Sequence, residues 1–318
     1  MRSTLARWLA RAYLGKPDLA EFVALRVPDL PSLVSTLRNE LAFRLGWDSV
    51  PRLTTLNVEL TSRCNVACSY CDVNQELGRP AQDLPLELLA RLIEGSPGLQ
   101  TLLPFQWGEP LLYEPLDEAL ALASQHGLRT YLTTNGTLLD GDRMESLGRA
   151  GLTRLTISLD GSAADHRARR GYDQGQILRR LNEARQARDA AGLATRLDVS
   201  MVVDETVAHE VEAFRERMTP LCDRVQFIPR LTDGPRSSPC REPSRGVMVV
   251  LSDGRITTCC ADVRGQLALG HVDDGSPAAL YTSAPWRALR AQHRRRAWPD
   301  VCARCDECDV PGVSKRFS

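Results

Sequence analysis

Residues 53–71 read LTTLNVELTSRCNVACSYC. Leu, Val and Thr dominate its first half, which has the composition of a β-strand over 53–60. Directly after it stand Cys64, Cys68 and Cys71, spaced C-x3-C-x2-C. Three thiolates on one short loop suit three corners of an iron–sulfur cluster. A cubane cluster has four irons, so one iron would lack a protein ligand and would be open to a substrate or a second cofactor. Zinc normally takes four ligands, and no fourth Cys or His lies near in sequence. A chance grouping of structural cysteines is the weakest reading.

Around this loop the chain has the make-up of a soluble globular protein. It has 318 residues, 43% hydrophobic and 25% charged, enough for a sizeable core and about two domains. Forty basic residues balance forty acidic ones, so a nucleic-acid partner is not expected. No apolar run is long enough to span a membrane, and Arg7 and Arg11 interrupt what would be the apolar part of a secretory signal. The expected compartment is therefore the reducing cytoplasm, where a disulfide framework is disfavoured. Ten cysteines then point to metal or redox chemistry. They occupy positions 64, 68, 71, 222, 240, 259, 260, 302, 305 and 308, and eight fall in three tight groups.

From residue 53 strand-like and helix-like runs alternate. Strands are expected at 53–60, 99–105, 129–134, 153–159, 196–203 and 224–229. Helices are expected near 85–95, 114–126, 140–150, 174–191 and 206–219. This alternation indicates βαβ units and a parallel sheet. Six strands suit a partial (β/α)6 TIM-like barrel, with ligands at the C-terminal strand ends. Residues 1–50 read as a helical extension. Leu33, Leu37, Leu41 and Leu45 share one stripe, expected to pack on the main domain, with contact to anionic lipid or to a partner protein as the alternatives. After residue 230 a smaller domain is expected, with a hairpin around Ser252-Asp253-Gly254 and a helix near 277–293. The expected division is thus 1–50, 51–230 and 231–318.

The cysteine loop, with Tyr70 before its third cysteine, resembles the signature of the radical S-adenosylmethionine (radical SAM) superfamily. Gln106-Trp107-Gly108-Glu109-Pro110 resembles that family's G-G-E-P motif, with Trp107 in place of the first glycine. Thr133-Thr134-Asn135-Gly136 and Ser158-Leu159-Asp160-Gly161 resemble its T-N-G and S-x-D-G segments. The resemblance implies that Cys64, Cys68 and Cys71 hold a [4Fe-4S] cluster. It implies that S-adenosyl-L-methionine chelates the open iron and is cleaved to a 5′-deoxyadenosyl radical that abstracts hydrogen from substrate. Gly108, Glu109, Asn135, Ser158 and Asp160 are the expected cofactor-binding residues. For Asn135 and Asp160 plain turn chemistry is the competing reading.

Cys240, Gly254 and Cys259 resemble the opening of a SPASM/twitch auxiliary-cluster domain. Six cysteines at or after Cys240 are too few for two four-thiolate clusters, so one auxiliary [4Fe-4S] cluster is expected. Cys240, Cys259, Cys302 and Cys305 are its expected ligands, with Cys308 as an alternative fourth and a zinc knot as the competing reading. Cys260 and Cys308 are candidate hydrogen-atom donors to a substrate radical, against packed free thiols. Arg294-Arg295-Arg296 reads as a solvated helix end, with phosphate binding as the minority reading.

Residues 1–50 lack the strand pattern of a leader-peptide recognition domain. The expected substrate is therefore a small molecule (a sugar, aminoglycoside, nucleoside or lipid-linked group) that is oxidised or epimerised. An external reductant such as flavodoxin or ferredoxin is the expected partner, with peripheral membrane contact by the N-terminal helix in reserve. The alternatives are a peptide-modifying enzyme of the same class and a non-catalytic iron–sulfur or zinc protein.

Overall fold

The computed structural model describes residues 30–49, 51–71, 79–230, 235–236, 238–259, 261–267 and 269–305. Six parallel strands follow one another in chain order across the sheet: β1 (Thr55–Val58), β2 (Thr101–Leu103), β3 (Arg129–Thr134), β4 (Arg154–Ser158), β5 (Arg196–Val203) and β6 (Arg224–Pro229). Helices return the chain between them. They are α2 (Leu86–Glu94), α3 (Leu116–Gln125), α4 (Gly141–Arg149), the pair α5 (Ala163–Arg170) and α6 (Gln174–Ala190), and α7 (Val211–Met218). The expected partial barrel is thus observed. Consecutive parallel neighbours joined by helices must curve one way, which gathers every C-terminal strand end at one mouth.

Strand burial explains the sheet's position. Leu56, Leu102, Leu132, Leu155, Ile157, Leu197 and Val199 are buried and continue into leucines and alanines of the covering helices. On α2 the apolar Leu89, Leu92 and Ile93 face inward, at the spacing a helix needs to bury one stripe.

The C-terminal part extends the same sheet. Strand β7 (Val247–Val250) pairs in parallel with β1, and β8 (Arg255–Thr257) and β9 (Gly270–His271) add antiparallel strands beyond it. The helix expected near 277–293 is two helices, α8 (Pro277–Tyr281) and α9 (Ala284–Arg294). The break lies at Thr282-Ser283, where Pro285 in the first turn of α9 has no N–H to continue α8. A short α10 (Asp300–Ala303) precedes Cys305.

Helix α1 (Leu30–Leu45) crosses the opposite, N-terminal edge of the barrel. Asn39 donates to the Arg52 carbonyl and accepts from its N–H, both at 2.9 Å, just ahead of β1. Gln100, ahead of β2, donates to Ser35 at 3.2 Å, and Arg129, opening β3, donates to Ser32 at 3.0 Å. The helix therefore docks through polar and small residues. Of the expected leucine stripe only Leu33 is buried, while Leu37, Leu41 and Leu45 face outward. No helix among the described residues is long and apolar enough to cross a membrane.

Candidate active site and cluster-binding loops

The cysteine loop leaves the C-terminal end of β1 and is stitched to its neighbours. The Ser69 N–H donates to the Arg169 carbonyl at 2.8 Å, and the Cys71 N–H to the Cys68 carbonyl at 3.1 Å. Asn65 accepts from Asn135 at 2.9 Å and donates to Thr137 at 2.8 Å. Tyr70 donates its hydroxyl to Asp160 at 2.8 Å. The loop is thereby fixed to the ends of β3 and β4.

Burial pushes the Cys64 thiol up, while N–H groups of Val66 and Asn65 and the Asn135 side chain favour its thiolate. Burial also raises Cys68, opposed by the nearby Arg170 guanidinium. Such donors suit sulfurs that carry negative charge once iron replaces the proton.

Gly108 and Glu109 sit against the base of this loop. The Glu109 N–H donates to the Arg63 carbonyl at 2.8 Å. A Cβ on residue 108 would lie 2.1 Å from the Thr61 carbonyl oxygen, so only glycine fits. The Glu109 carboxylate is buried and accepts from Thr134 Oγ1 at 2.7 Å, the Asn135 N–H at 2.7 Å and the Leu111 N–H at 3.0 Å. Burial raises its pKa against these donors. A carboxylate offers about four acceptor sites, so one remains for an incoming ammonium. Beside it the indole N–H of Trp107 and the Asn57 Oδ1 are buried without a hydrogen-bond partner. A polar cofactor fits these orphaned groups. Ser158 closes β4.

Asp160 is placed differently from the cofactor ligand expected. It is wholly buried. Its Oδ2 accepts from Tyr70 at 2.8 Å, Arg170 Nε at 2.9 Å and Arg169 Nε at 3.4 Å, and its Oδ1 from the Val202 N–H at 3.2 Å and Arg170 at 3.5 Å. These contacts leave no spare lone pair, so Asp160 holds the protein rather than a ligand. Asn135 likewise is an internal clip, joining Glu109 to Asn65 and accepting at its carbonyl from Tyr172 at 3.0 Å.

Arg169, Arg170, Tyr172 and His166 complete this centre. Their place after the S-x-D-G segment gives His166, Arg169 and Arg170 the expected position of a substrate-cavity edge, but the structure buries all three against Asp160, and Tyr172 carried no signal in the sequence. His166 accepts from the Asp160 N–H at 3.2 Å and packs edge-on to Tyr172, and burial pulls its pKa down to about 4. The local signal was Ser162 three residues before Asp165, the capping box that starts α5 and carries Arg169 and Arg170 inward.

Cys240, Cys259, Cys302 and Cys305, the expected auxiliary-cluster ligands, lie in the C-terminal part of the chain, all as free thiols. Arg236 donates its N–H to the Ala303 carbonyl at 3.0 Å and its Nε to the Cys302 carbonyl at 2.9 Å, drawing the segment before Cys240 onto α10. The Cys240 N–H donates to His293 Nδ1 at 3.3 Å. No three Cys, His, Asp or Glu side chains among the described residues converge on one ion position. Cys260 and Cys308 lie outside the described residues.

Comparison with known proteins agrees with this geometry. Residues 58–218 match the model of the radical SAM superfamily, and residues 240–306 match that of an iron–sulfur cluster-binding domain, SPASM. A PqqA peptide cyclase from Gluconobacter oxydans (strain 621H) is 34% identical over 299 residues, covering 79% of this chain and 82% of that protein. Other curated relatives match over shorter stretches, and the chain spans less than half of their length. Among solved structures, BtrN in complex with AdoMet and 2-DOIA matches with a TM-score of 0.56 at 16% identity, over 83% of this chain and 96% of that one. Streptococcus suis SuiB bound to precursor peptide SuiA matches with a TM-score of 0.62 at 13% identity, over 84% and 73%. These two likenesses are likenesses of fold. With its cysteine loop, its Gly108-Glu109 pocket and its C-terminal cysteine set, this chain belongs to the radical SAM superfamily and is a SPASM-containing enzyme of it.

Proposed function

We propose that this enzyme modifies a peptide, joining two of its side chains by a carbon–carbon or thioether bond. The observation that carries the reading is the likeness to a PqqA peptide cyclase along most of both chains. It moves the substrate class from the small molecule expected above to the peptide alternative.

When bound, S-adenosylmethionine and the [4Fe-4S] cluster supply a 5′-deoxyadenosyl radical for hydrogen abstraction. The chain's own residues hold and orient these groups. Cys64, Cys68 and Cys71 would hold the cluster. Glu109 would accept from the amino group of S-adenosylmethionine with its remaining lone pair, and Ser158 would hydrogen-bond the same cofactor. Asn135 fixes Glu109 and Cys64 relative to each other. Asp160, through Tyr70 and Arg170, holds the loop at one height above the mouth. This rigidity is what radical chemistry asks of a protein, since one C–H bond must be placed and water kept out.

Cys240, Cys259, Cys302 and Cys305 would hold the auxiliary cluster, with Cys308 as the alternative to Cys305. The hydrogen-donor role considered for Cys260 and Cys308 belongs to epimerisation. Forming a cross-link calls for no such thiol.

The test is anaerobic incubation of the reconstituted enzyme with S-adenosylmethionine, dithionite and a synthetic PqqA-type peptide. The expected result is peptide-stimulated 5′-deoxyadenosine and a product lighter by two hydrogens. Stimulation by an aminoglycoside or nucleoside but by no peptide would return the substrate to the small-molecule class.

A further inference from the structure

Two features of the chain have no part in the chemistry at the barrel mouth: the leucine stripe of α1 and the Arg294-Arg295-Arg296 run. The fold brings them together on the opposite side of the molecule. Helix α1 docks by Ser32, Ser35, Asn39 and the buried Ala42. At about 100° per residue, Val34, Leu37, Leu41 and Leu45 fall within an arc of about 80° on its outer face. They and Trp47, one turn beyond the helix, are 42–57% exposed. Six large apolar side chains are that exposed among the described residues, and five of them are here. Single exposed leucines need no explanation. A helix that turns its polar side to the barrel and its leucines to the outside does.

The rim of this stripe is basic. On the helix, Arg38 and Arg44 flank the apolar arc on its two sides. Arg44 and Arg241 both pair with Glu40, and the Arg241 guanidinium lies over the Phe43 ring at 5.6 Å. Arg294 packs against Gly46 and pairs with Asp48. The chain then continues through the exposed Arg295 and Arg296, and Arg52 is exposed beside Asn39. Among the described residues, seven arginines thus accompany two carboxylates.

We propose that this face is a membrane-docking surface. The leucine stripe and Trp47 lie in the interface of an anionic bilayer, and the surrounding arginines bind lipid phosphates. An apolar helix face bordered by guanidinium groups meets both layers of such an interface, and Trp favours the headgroup level. The positive excess of the rim selects this occupant over an apolar protein surface, which offers no anionic groups to balance it. Docked this way, the barrel mouth with Cys64, Cys68 and Cys71 opens away from the lipid, toward the aqueous phase. This inference does not depend on the identity of the substrate.

The experiment is flotation of the full-length reconstituted enzyme with phosphatidylglycerol–phosphatidylcholine vesicles and with pure phosphatidylcholine vesicles. Binding is expected to the anionic vesicles only and to weaken as salt rises. Arg295→Ser/Arg296→Ser is expected to weaken it by about 5-fold per arginine. Leu37→Glu/Leu41→Glu is expected to abolish it with iron content unchanged. Should that variant fail to fold, Trp47 gives an independent reading: vesicles should blue-shift the fluorescence of wild type more than that of Trp47→Phe. No binding to anionic vesicles overturns the proposal. So does binding that the arginine and the leucine variants both leave unchanged, which would place the contact in another segment such as residues 1–29. A dimer that dissociates in Leu37→Glu/Leu41→Glu, with no vesicle binding by wild type, would assign the face to a second copy instead.

Discussion

Glu109 and Asp160 are both buried carboxylates near the barrel mouth, and the difference between them is a matter of lone pairs. Three donors meet Glu109, and they come from the backbone and a hydroxyl. Asp160 receives five contacts, four of them from Arg169, Arg170 and Tyr70. Glu109→Gln keeps the shape and removes the charge that an ammonium needs. A charge-assisted hydrogen bond contributes about 1.5–3 kcal/mol, so S-adenosylmethionine should bind about 10- to 100-fold more weakly, with iron content unchanged. Equilibrium binding beside an iron assay checks both. His166 gives a second prediction at this scale. Its folded pKa, about 4, lies below the ordinary value near 6.5. The unfolded chain therefore takes up the proton first, and the stability contributed by neutral His166 is lost as pH falls from about 6.5 toward 4. Linkage puts the loss between pH 7 and pH 5.5 at about 1 kcal/mol for this one group. Urea unfolding should show that pH dependence reduced by about this amount in His166→Gln. An unchanged slope would mean that His166 is protonated in the fold.

The elements differ in how openly the sequence announced them. The six strands and five of the helices were legible because each buries an apolar face at its own period. Helix α5 was not, because AADHRARR has no apolar stripe. Its inward residues are His166, Arg169 and Arg170; Asp160 neutralises the two arginines, and pattern reading assigns charges to solvent. The stripe of α1 was legible as a stripe, but its direction was set by Asn39, Ser32 and Ser35 binding strand starts. The cysteine motif announced the site, whereas Tyr70 to Asp160 and Asn65 to Asn135 required the strand ends to be assembled. Gly108 shows how a motif glycine acts on an element. Its backbone lies against the Thr61 and Arg63 carbonyls that lead into the cysteine loop. Gly108→Ala must push that segment away, since a carbonyl 2.1 Å from a new Cβ cannot stay in place. Overpacking of this kind costs about 1–3 kcal/mol. The expected outcome is a lower Tm and about half the wild-type iron, lost from the Cys64 loop and kept at the C-terminal cysteines. Wild-type iron in this variant would show that the loop tolerates the shift.

Across the whole molecule, the strand that leads to Cys64 and the hairpin that leads to Cys259 belong to one sheet, and the junction between them is polar. Glu59 follows β1 and is fully buried, and Arg79 pairs with it at 2.7 Å with its own side chain 3% exposed. The β7–β8 turn closes on both: the Ser252 N–H donates to Glu59 at 2.9 Å, and Arg79 donates to the Ser252 hydroxyl at 2.9 Å. Gln82 donates to the Ser252 carbonyl at 2.8 Å. The strand that leads to Cys64 and the hairpin that leads to Cys259 are thus tied by one buried charge pair. Such a pair gains little over an apolar replacement of both partners, but removing one partner leaves the other charge buried and costs about 3–5 kcal/mol. Arg79→Met should therefore be strongly destabilising. Glu59→Gln/Arg79→Met removes the stranded charge, keeps an acceptor for the Ser252 N–H, and should recover about 1–3 kcal/mol of the loss. Denaturant unfolding of the two single variants and the double variant measures this coupling. Additive losses would mean that solvent reaches Glu59 once Arg79 is gone. The junction would then be an ordinary polar contact, and the hairpin that leads to Cys259 would be held to the barrel chiefly by the β1–β7 hydrogen bonds.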